Sequence, residues 1–178
     1  PPLILSVGLL ADRKGHDVLI RALARIKDLD WHAVIVGKPH EQSVAAALAD
    51  QLKSSGLDDR LTLAGEVGDA ELSDLYGRAS IFALATRYEG YGIVFGEALV
   101  RGLPIVSCRT GAVPDTVPAD CGILVEIDDD AAFAAALRGL LDNEALRLEM
   151  SRKARRHSLS LPTWLDGARL AGEIIERL

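Results

Sequence analysis

The chain has 178 residues, 49% of them hydrophobic and only 4% aromatic, which is enough for one domain with a sizeable aliphatic core. Acidic residues outnumber basic ones by 26 to 20, and the formal net charge is −6. Nucleic acid is therefore not expected as the main partner, because no basic excess exists to displace counterions from its phosphates, whereas a small phosphorylated ligand needs only one or two cations.

Short apolar runs alternate with helix-period segments in the first half of the chain. Strands are predicted at 3–8, 31–37 and 60–65. Helices are predicted at 15–29, 41–56 and 69–79. We expect Gly56 to end the second helix and Asp69 to provide the N-cap of the third. The first helix carries an apolar stripe made by Val18, Leu19, Ala22, Leu23 and Ile26.

The same alternation continues and then gives way to helices. Strands are predicted at 80–85, 104–107 and 121–126, with a helix at 92–102 that ends at Gly102. Later helices are predicted at 131–141, 144–158 and 162–178. Asp128 to Asp130 form an acidic start to the first of these, and Pro162 suits the first turn of the last. The stripe of the 131–141 helix consists of Phe133, Leu137, Leu140 and Leu141.

Near-continuous apolar strands separated by amphipathic helices predict an α/β fold. Such strands are buried on both faces, so we expect a doubly wound, Rossmann-like parallel sheet of about six strands with helices on both faces and C-terminal helices. No linker or internal repeat divides residues 1–178, which we interpret as a single domain. The basic run 152–156 is expected to be a solvated helix face.

Ligands of such sheets bind beyond the carboxyl ends of the strands, on loops that lead into helices. The informative loops are 8–15 (GLLADRKG), 37–42 (GKPHEQ), 86–92 (TRYEGYG) and 108–115 (CRTGAVPD). Each glycine-rich loop alone is a weak signal, and tight turns would explain it. Lys14 and the helix starts near Gly92 and Gly111 would, however, point at one crevice. A lysine with two helix starts predicts a diphosphate site.

The segment 88–106, YEGYGIVFGEALVRGLPIV, places Glu89 before a helix and Glu97 inside it. Gly92 would let the backbone approach a ligand, and the amides of Ile93 and Val94 would be free first-turn donors. Carboxylates are poor neighbours for phosphates but good acceptors for vicinal hydroxyls. The segment therefore suits a ligand with phosphates in the middle and sugar hydroxyls on both sides. The alternative is that both glutamates are ordinary surface charges.

Cysteine usage and hydropathy favour a cytoplasmic protein without a transmembrane segment. Cys108 and Cys121 lack both CxxC spacing and a disulfide framework, so reduced thiols are expected. No apolar run reaches the roughly 18–20 residues of a membrane span, and no signal peptide is recognisable. Since the chain opens abruptly on a strand, we interpret it as a piece of something longer.

Along its full length the chain resembles the C-terminal, nucleotide-sugar-binding domain of a retaining GT-B glycosyltransferase of family 4, or group 1. The resemblance rests on LSVGLLADRKG, EGYGIVFGEALVRGLPIV, TGAVPDTV, GILVEIDD and PTWLDGA. It implies that Lys14 contacts the donor diphosphate, that Glu89 contacts the transferred sugar and acts as the catalytic carboxylate, and that Glu97 holds the ribose diol. It also implies that the amides of Ile93 and Val94 reach the phosphates or the sugar, and that the base lies near Gly65 and Val67. Gly92 and Gly111, from the helix starts described above, and Arg13 complete the expected donor-binding residues.

Some residues depart from the family pattern. The family's second diphosphate cation, an arginine directly after the first glycine, is replaced by Leu9. Three nearby arginines are candidates to substitute for it: Arg13, Arg87 and Arg109. If none of them does, the donor site is weaker than usual or its leaving group differs. Asp115 replaces the usual glutamate, a mild change. The family's N-terminal domain, which carries the acceptor site, is expected to be absent from this chain, so the isolated domain is expected to be inactive.

The resemblance implies metal-independent, retaining glycosyl transfer from a UDP-, GDP- or ADP-sugar donor, with no cofactor. In the full-length protein, a cytoplasmic location with peripheral association at the inner face of the membrane is a further expectation. Two other functions stay open. A non-catalytic nucleotide-sugar-binding module is favoured by Leu9. An NAD-type oxidoreductase is disfavoured, because GLLADRKG is not GxGxxG and no acidic residue follows the second strand at the ribose position.

Overall fold

The computed structural model describes residues 1–160 and shows one six-stranded, all-parallel sheet. Its strands are β1 (Leu3–Val7), β2 (His32–Val36), β3 (Leu61–Gly65), β4 (Ile81–Leu84), β5 (Ile105–Cys108) and β6 (Gly122–Val125). The spatial order is β3-β2-β1-β4-β5-β6. The predicted doubly wound, Rossmann-like α/β fold is therefore confirmed. The helix predicted at 162–178, with Pro162, lies outside the described residues.

Seven helices of the described part connect and cover the strands. They are α1 (His16–Ala24), α2 (Gln42–Ser55), α3 (Asp69–Arg78), α4 (Ile93–Val100), α5 (Val113–Thr116), α6 (Asp130–Asp142) and α7 (Glu144–Ser158). A short 3₁₀ turn, Asp12–Lys14, precedes α1. Within residues 1–160, none of the helices has the length and apolar character needed to cross a bilayer.

The core consists of two apolar layers, one on each face of the sheet. Helices α1, α2 and α6 pack on one face, where every residue of the predicted 15–29 stripe is at most 1% exposed. Helices α3, α4 and α5 pack on the other face. There, Tyr76 stacks on Phe82, whose ring also meets Phe95 edge-on. Helical periodicity correctly located these buried faces because burial, not propensity, sets the pattern.

Two helix starts show how the local sequence is used. The prediction that Asp69 caps α3 is wrong: Asp69 is the first helical residue, and Gly68 occupies the N-cap without a side-chain hydrogen bond. The acidic run 128–130 does start α6 as expected. Asp129 accepts a hydrogen bond from the Ala132 amide at 2.8 Å, and Asp130 pairs with Arg25.

The strand order reverses direction between β1 and β4, which are the two central neighbours. In open α/β sheets this switch point leaves a crevice outside the carboxyl ends of the strands, where ligands bind. The loops that follow β1 and β4 therefore meet at the crevice. These are the loops that carry Lys14 and Glu89.

Candidate functional site

A buried ion pair lies at the switch point. Lys14 Nζ donates to Glu89 Oε2 at 2.5 Å, and the two residues are only 6% and 8% exposed. The second carboxylate oxygen, Oε1, accepts the Gly92 amide at 3.3 Å. The structure thus joins two of the predicted site residues, which are 75 positions apart in the chain. Both charged groups therefore lie beyond the carboxyl ends of the strands, where ligands of such sheets bind.

The 3₁₀ turn between β1 and α1 sets the position of Lys14. The aliphatic stem of Lys14 lies over Gly8, where an added Cβ would stand 3.4 Å from Lys14 Cδ. Gly15 follows with a φ of 62°, and a Cβ there would lie 1.9 Å from the Ala85 carbonyl oxygen. Only glycine permits this close approach, which brings the start of α1 against the end of β4.

Hydrogen bonds fasten the turn to the loop after β4. The Arg87 amide donates to the Arg13 carbonyl at 2.8 Å. The hydroxyl of the buried Thr86 lies 3.1 Å from the same carbonyl oxygen and 2.8 Å from the Tyr88 carbonyl oxygen. On the other side, His16 Nε2 lies 3.2 Å from the carbonyl oxygens of both Gly8 and Leu9. Burial lowers the pKa of His16, so a neutral ring carrying its proton on Nε2 donates to these carbonyls. Hydrogen bonds on two sides therefore hold the turn that carries Lys14.

The electrostatics of Glu89 reflect its pairing. Burial raises the pKa of its carboxyl, but the hydrogen bond and charge of Lys14, the Gly92 amide and the charge of Arg13 outweigh burial, and the net pKa lies below the ordinary value. Glu89 therefore stays ionised near neutral pH. A buried carboxylate that is ionised can accept hydrogen bonds from hydroxyl groups of a ligand.

Helix α4 offers free amides next to this pair. It begins at Ile93 after Gly92, whose φ is 77°. No acceptor within residues 1–160 receives the amide of Ile93 or Val94. First-turn amides and the positive end of the helix dipole together favour an anion. Lys14 and these amides are two of the three groups that the sequence predicted for a diphosphate; the third is the helix start near Gly111.

The second predicted helix start differs from expectation. Helix α5, after Gly111, is a single turn of four residues, and Pro114 in its first turn has no N–H to offer. Gly111 instead serves packing: its φ is 50°, and a Cβ there would lie 2.1 Å from the Glu89 carbonyl oxygen. The Ala112 amide donates to the same carbonyl at 2.9 Å. The loop around Gly111 thus supports the backbone of Glu89.

Glu97 lies on the second turn of α4 and is solvent-exposed. Its Oε2 accepts the hydroxyl of Tyr76 at 2.8 Å, while Oε1 has no partner among residues 1–160. Gly65 and Val67, the predicted base region, lie at and just beyond the carboxyl end of the edge strand β3. The Gly37 amide ties this end to β2 through the Gly65 carbonyl at 2.8 Å. The predicted site residues thus lie at or just after the carboxyl ends of β1, β3, β4 and β5, and Glu97 lies one turn further along α4.

The three arginines considered as substitutes for the cation missing at Leu9 differ in their surroundings. Arg87 is occupied: it forms two hydrogen bonds to Asp17, at 3.0 and 2.8 Å, and one to Asp128 at 2.7 Å. Arg13 and Arg109 are exposed, and neither forms an ion pair with a carboxylate in the part of the chain described. Arg13 also lies close enough to Glu89 to lower the pKa of that carboxyl.

Arg87 is expected to stabilise the site loops. Burial raises the pKa of Asp17, but Arg87 and Arg21 outweigh it and hold the pKa below the ordinary value of 3.8. A depressed folded-state pKa contributes stability above 3.8, which is lost as the pH falls through the lower, folded-state value. Arg87→Met should therefore lower the free energy of unfolding by about 1–3 kcal/mol at pH 7 and by less in strong acid.

Urea unfolding of the wild type and of Arg87→Met, at pH 7 and in strong acid, measures this effect. The matched control is Arg78→Met, because Arg78 forms only an exposed pair with Asp74 on one helix. We expect no measurable change in that variant. Equal losses for Arg87→Met at both pH values would show that its ion pairs with the carboxylates are not the cause.

Sequence reasoning missed three contributors to the site. His16 carries no recognised motif, although it directly follows the Lys14-Gly15 pair. Tyr76 reads as an ordinary apolar helix residue and is in fact 4% exposed. The role of Asp17 as a partner of Arg87 has no local signal, since the two residues are 70 positions apart.

The comparisons with known proteins agree with each other. The family model described as "Glycosyl transferases group 1" matches residues 1–157. A D-inositol 3-phosphate glycosyltransferase from Corynebacterium kroppenstedtii is 31% identical over 180 residues, covering 97% of this chain. The alignment covers only 40% of that relative, so the chain spans well under half the length of the curated relatives it matches.

Solved structures show the same fold. Sucrose-phosphate synthase from Thermosynechococcus elongatus superposes with a TM-score of 0.90 at 26% identity, covering 99% of this chain and 45% of that one. Anabaena Alr3699/HepE, solved in complex with UDP and glucose, gives a TM-score of 0.90 at 21% identity, covering 99% of this chain and 48% of that one. At 21% identity, the second likeness is evidence of the fold alone.

Proposed function

Because this chain belongs to the glycosyl transferases group 1 family, we propose that it binds a nucleotide-diphosphate sugar and presents it for retaining glycosyl transfer. The observation that carries the proposal is the Lys14–Glu89 pair beside the free Ile93 and Val94 amides, at the switch point of the sheet. The lysine ammonium and the amides there lie beside a carboxylate that can accept hydrogen bonds from sugar hydroxyls. A diphosphate joined to a sugar matches both.

In the proposed complex, the diphosphate lies against Lys14 Nζ and the first turn of α4. The bond between the anomeric carbon and the diphosphate oxygen breaks, and its electron pair leaves with the diphosphate. An acceptor hydroxyl attacks from the same face, through a transition state in which the sugar ring carries positive charge, and its proton passes to the departing diphosphate oxygen. The lysine and the helix start stabilise the leaving group without reorganisation, so we propose a metal-independent reaction.

The two glutamates have separate roles in this proposal. Glu89 accepts hydroxyls of the transferred sugar, and its negative charge lies where the ring becomes positive. Glu97 accepts hydrogen bonds from the ribose diol through Oε1, the oxygen that Tyr76 does not contact. The base packs near Gly65 and Val67, against the end of β3. The proposal places residues 1–178 in one donor-binding domain, and the acceptor site on another domain of the enzyme.

A thermal-shift panel of nucleosides, nucleoside diphosphates and their glucose conjugates tests the proposal. UDP is the first probe, because it occupies a protein with this fold. We expect nucleoside diphosphates to raise the unfolding midpoint more than nucleosides, and one base to be preferred. Failure of every diphosphate and conjugate to raise the midpoint at millimolar concentration would refute donor binding by this chain.

Arg13 is proposed to replace the cation missing at Leu9. It is exposed beside the Lys14 turn, and no ion pair within residues 1–160 occupies it. Arg13→Ala should therefore weaken binding of a nucleoside diphosphate about three- to tenfold, as measured by calorimetric titration, and should not affect a nucleoside. Adding Leu9→Arg should partly restore the affinity.

Arg78→Ala serves as the control for that titration, because Arg78 lies on α3 with its own partner Asp74. A silent Arg13→Ala variant would mean that Lys14 acts alone or that Arg109 reaches the phosphates. Parallel titration of Arg109→Ala separates these two outcomes.

A non-catalytic nucleotide-sugar-binding module is the second candidate function. It is favoured by Leu9 and by the engagement of both Glu89 oxygens with Lys14 and Gly92. Donor hydrolysis or transfer assayed with the complete protein distinguishes the two, because a binding module would bind the donor without turnover.

A further inference from the structure

The hydrogen bond between Tyr76 and Glu97 links two helices at the candidate ribose site. Tyr76 belongs to α3, is 4% exposed and donates to Glu97 Oε2 at 2.8 Å. Glu97 belongs to α4 and is exposed. Among residues 1–160 this is the only hydrogen bond of the Glu97 carboxylate. A single buried donor therefore determines how an otherwise solvated side chain is held.

Tyr76 is itself rigidly placed. Its ring stacks on Phe82 of β4, with centroids 6.2 Å apart and an interplanar angle of 14°. Phe82 is fully buried and packs against Phe95 of α4, so Tyr76 belongs to the core layer between α3, α4 and the sheet. A hydroxyl fixed by a core ring can hold a flexible carboxylate in one rotamer, which saves the entropy of ordering it upon binding.

We propose that Tyr76 is a positioning residue that holds the Glu97 carboxylate with Oε1 directed to the ribose diol of a bound nucleotide. The inference rests on the proposed function and adds a residue to it. Burial, and then the Glu97 charge, raise the pKa of the Tyr76 phenol, so its hydroxyl stays a donor over the whole working pH range. The carboxylate retains a free oxygen for the diol.

Tyr76→Phe removes only the hydroxyl and retains the ring that stacks on Phe82. The chain is titrated with UDP, GDP and ADP, and with the 2′-deoxy form of the diphosphate it prefers. We expect Tyr76→Phe to weaken binding of the ribose form about three- to tenfold and to leave the 2′-deoxy form within about twofold. In a Glu97→Ala background, Tyr76→Phe should change neither affinity, because the group it positions is gone.

Trp31→Phe is the matched control. It also removes one buried donor from an aromatic side chain, the Trp31 Nε1–H bonded to the Ile26 carbonyl at 2.8 Å, but at the amino end of β2. This variant should lower the unfolding midpoint and leave the preference for ribose unchanged.

The outcomes separate the two proposals. Equal losses of both ribose and 2′-deoxyribose forms in Tyr76→Phe, or no loss of either, would overturn the positioning role while nucleotide binding stands. A change of ribose preference in Trp31→Phe would also overturn it, because stability alone would then explain the effect. A wild-type chain that binds none of the three diphosphates would overturn the proposed function and this inference with it.

Discussion

Lys14→Met is expected to weaken binding of nucleoside diphosphates about ten- to a hundredfold and to leave nucleoside binding unchanged. The reason is the loss of one charge-assisted contact to phosphate, worth about 1.5–3 kcal/mol. Methionine keeps an unbranched stem over Gly8, so packing there is preserved. Calorimetric titration with the nucleoside and its diphosphate measures both affinities.

Lys38→Met is the control, because Lys38 is an exposed lysine on the loop after β2, at the same edge of the sheet. We expect less than about a twofold change in diphosphate affinity for that variant. Equal losses of nucleoside and diphosphate affinity in Lys14→Met would refute the phosphate role of Lys14.

The same substitution should also lower stability, because it leaves the Glu89 carboxylate buried without its cation. Removing one partner of a buried ion pair costs about 3 kcal/mol. The double variant Lys14→Met/Glu89→Gln should recover most of that loss, since the unpaired charge is gone as well. Urea unfolding of the three proteins at pH 7 measures the coupling.

The pH dependence gives an independent check on this pair. In the wild type, the depressed pKa of Glu89 contributes stability above its unfolded value of 4.5, and this stability is lost as the pH falls through the lower, folded-state value. In Lys14→Met, fewer groups oppose the effect of burial on the pKa of Glu89, so that pKa is depressed less. The loss of stability in acid should therefore become smaller. An unchanged pH dependence would show that Lys14 does not control the ionisation of Glu89.

Glu89→Gln and Glu97→Gln are expected to differ by ligand. Glu97→Gln should weaken binding of a nucleoside diphosphate and of its sugar conjugate alike, because both contain the ribose. Glu89→Gln should leave the affinity for the free diphosphate unchanged or raise it. The substitution releases Lys14 from its partner and removes a negative charge next to the phosphates. The extra affinity contributed by the sugar should fall by about 1–3 kcal/mol.

In a complete enzyme, Glu89→Gln should lower turnover more than Glu97→Gln, because only Glu89 lies where the reacting sugar gains charge. Calorimetric titration of both variants with both ligands, followed by a transfer assay, tests the division. Identical profiles of the two variants would show that the separate roles are wrong.

The sequence by itself determined which segments are strands, to within one residue at each end, and which faces of the helices are buried. Apolar residues recur with the period of the element that buries them, so the stripe from Val18 to Ile26 predicted the buried face of α1 without knowledge of its neighbours. The residue types at positions 14, 89 and 97, together with the glycines between them, indicated the family and the end of the sheet where we propose its site.

Only the tertiary structure decided which polar side chains meet. Lys14 pairs with Glu89, Arg87 is committed to Asp17, and Tyr76 holds Glu97. Each contact joins side chains on different elements, and its existence depends on the distance between two loops or helices and on the burial of both groups. Neither quantity has a local period in the sequence. Hydrophobic burial acts on one face along the whole length of a helix and so leaves a periodic signal, whereas an ion pair or hydrogen bond is a single event between distant residues.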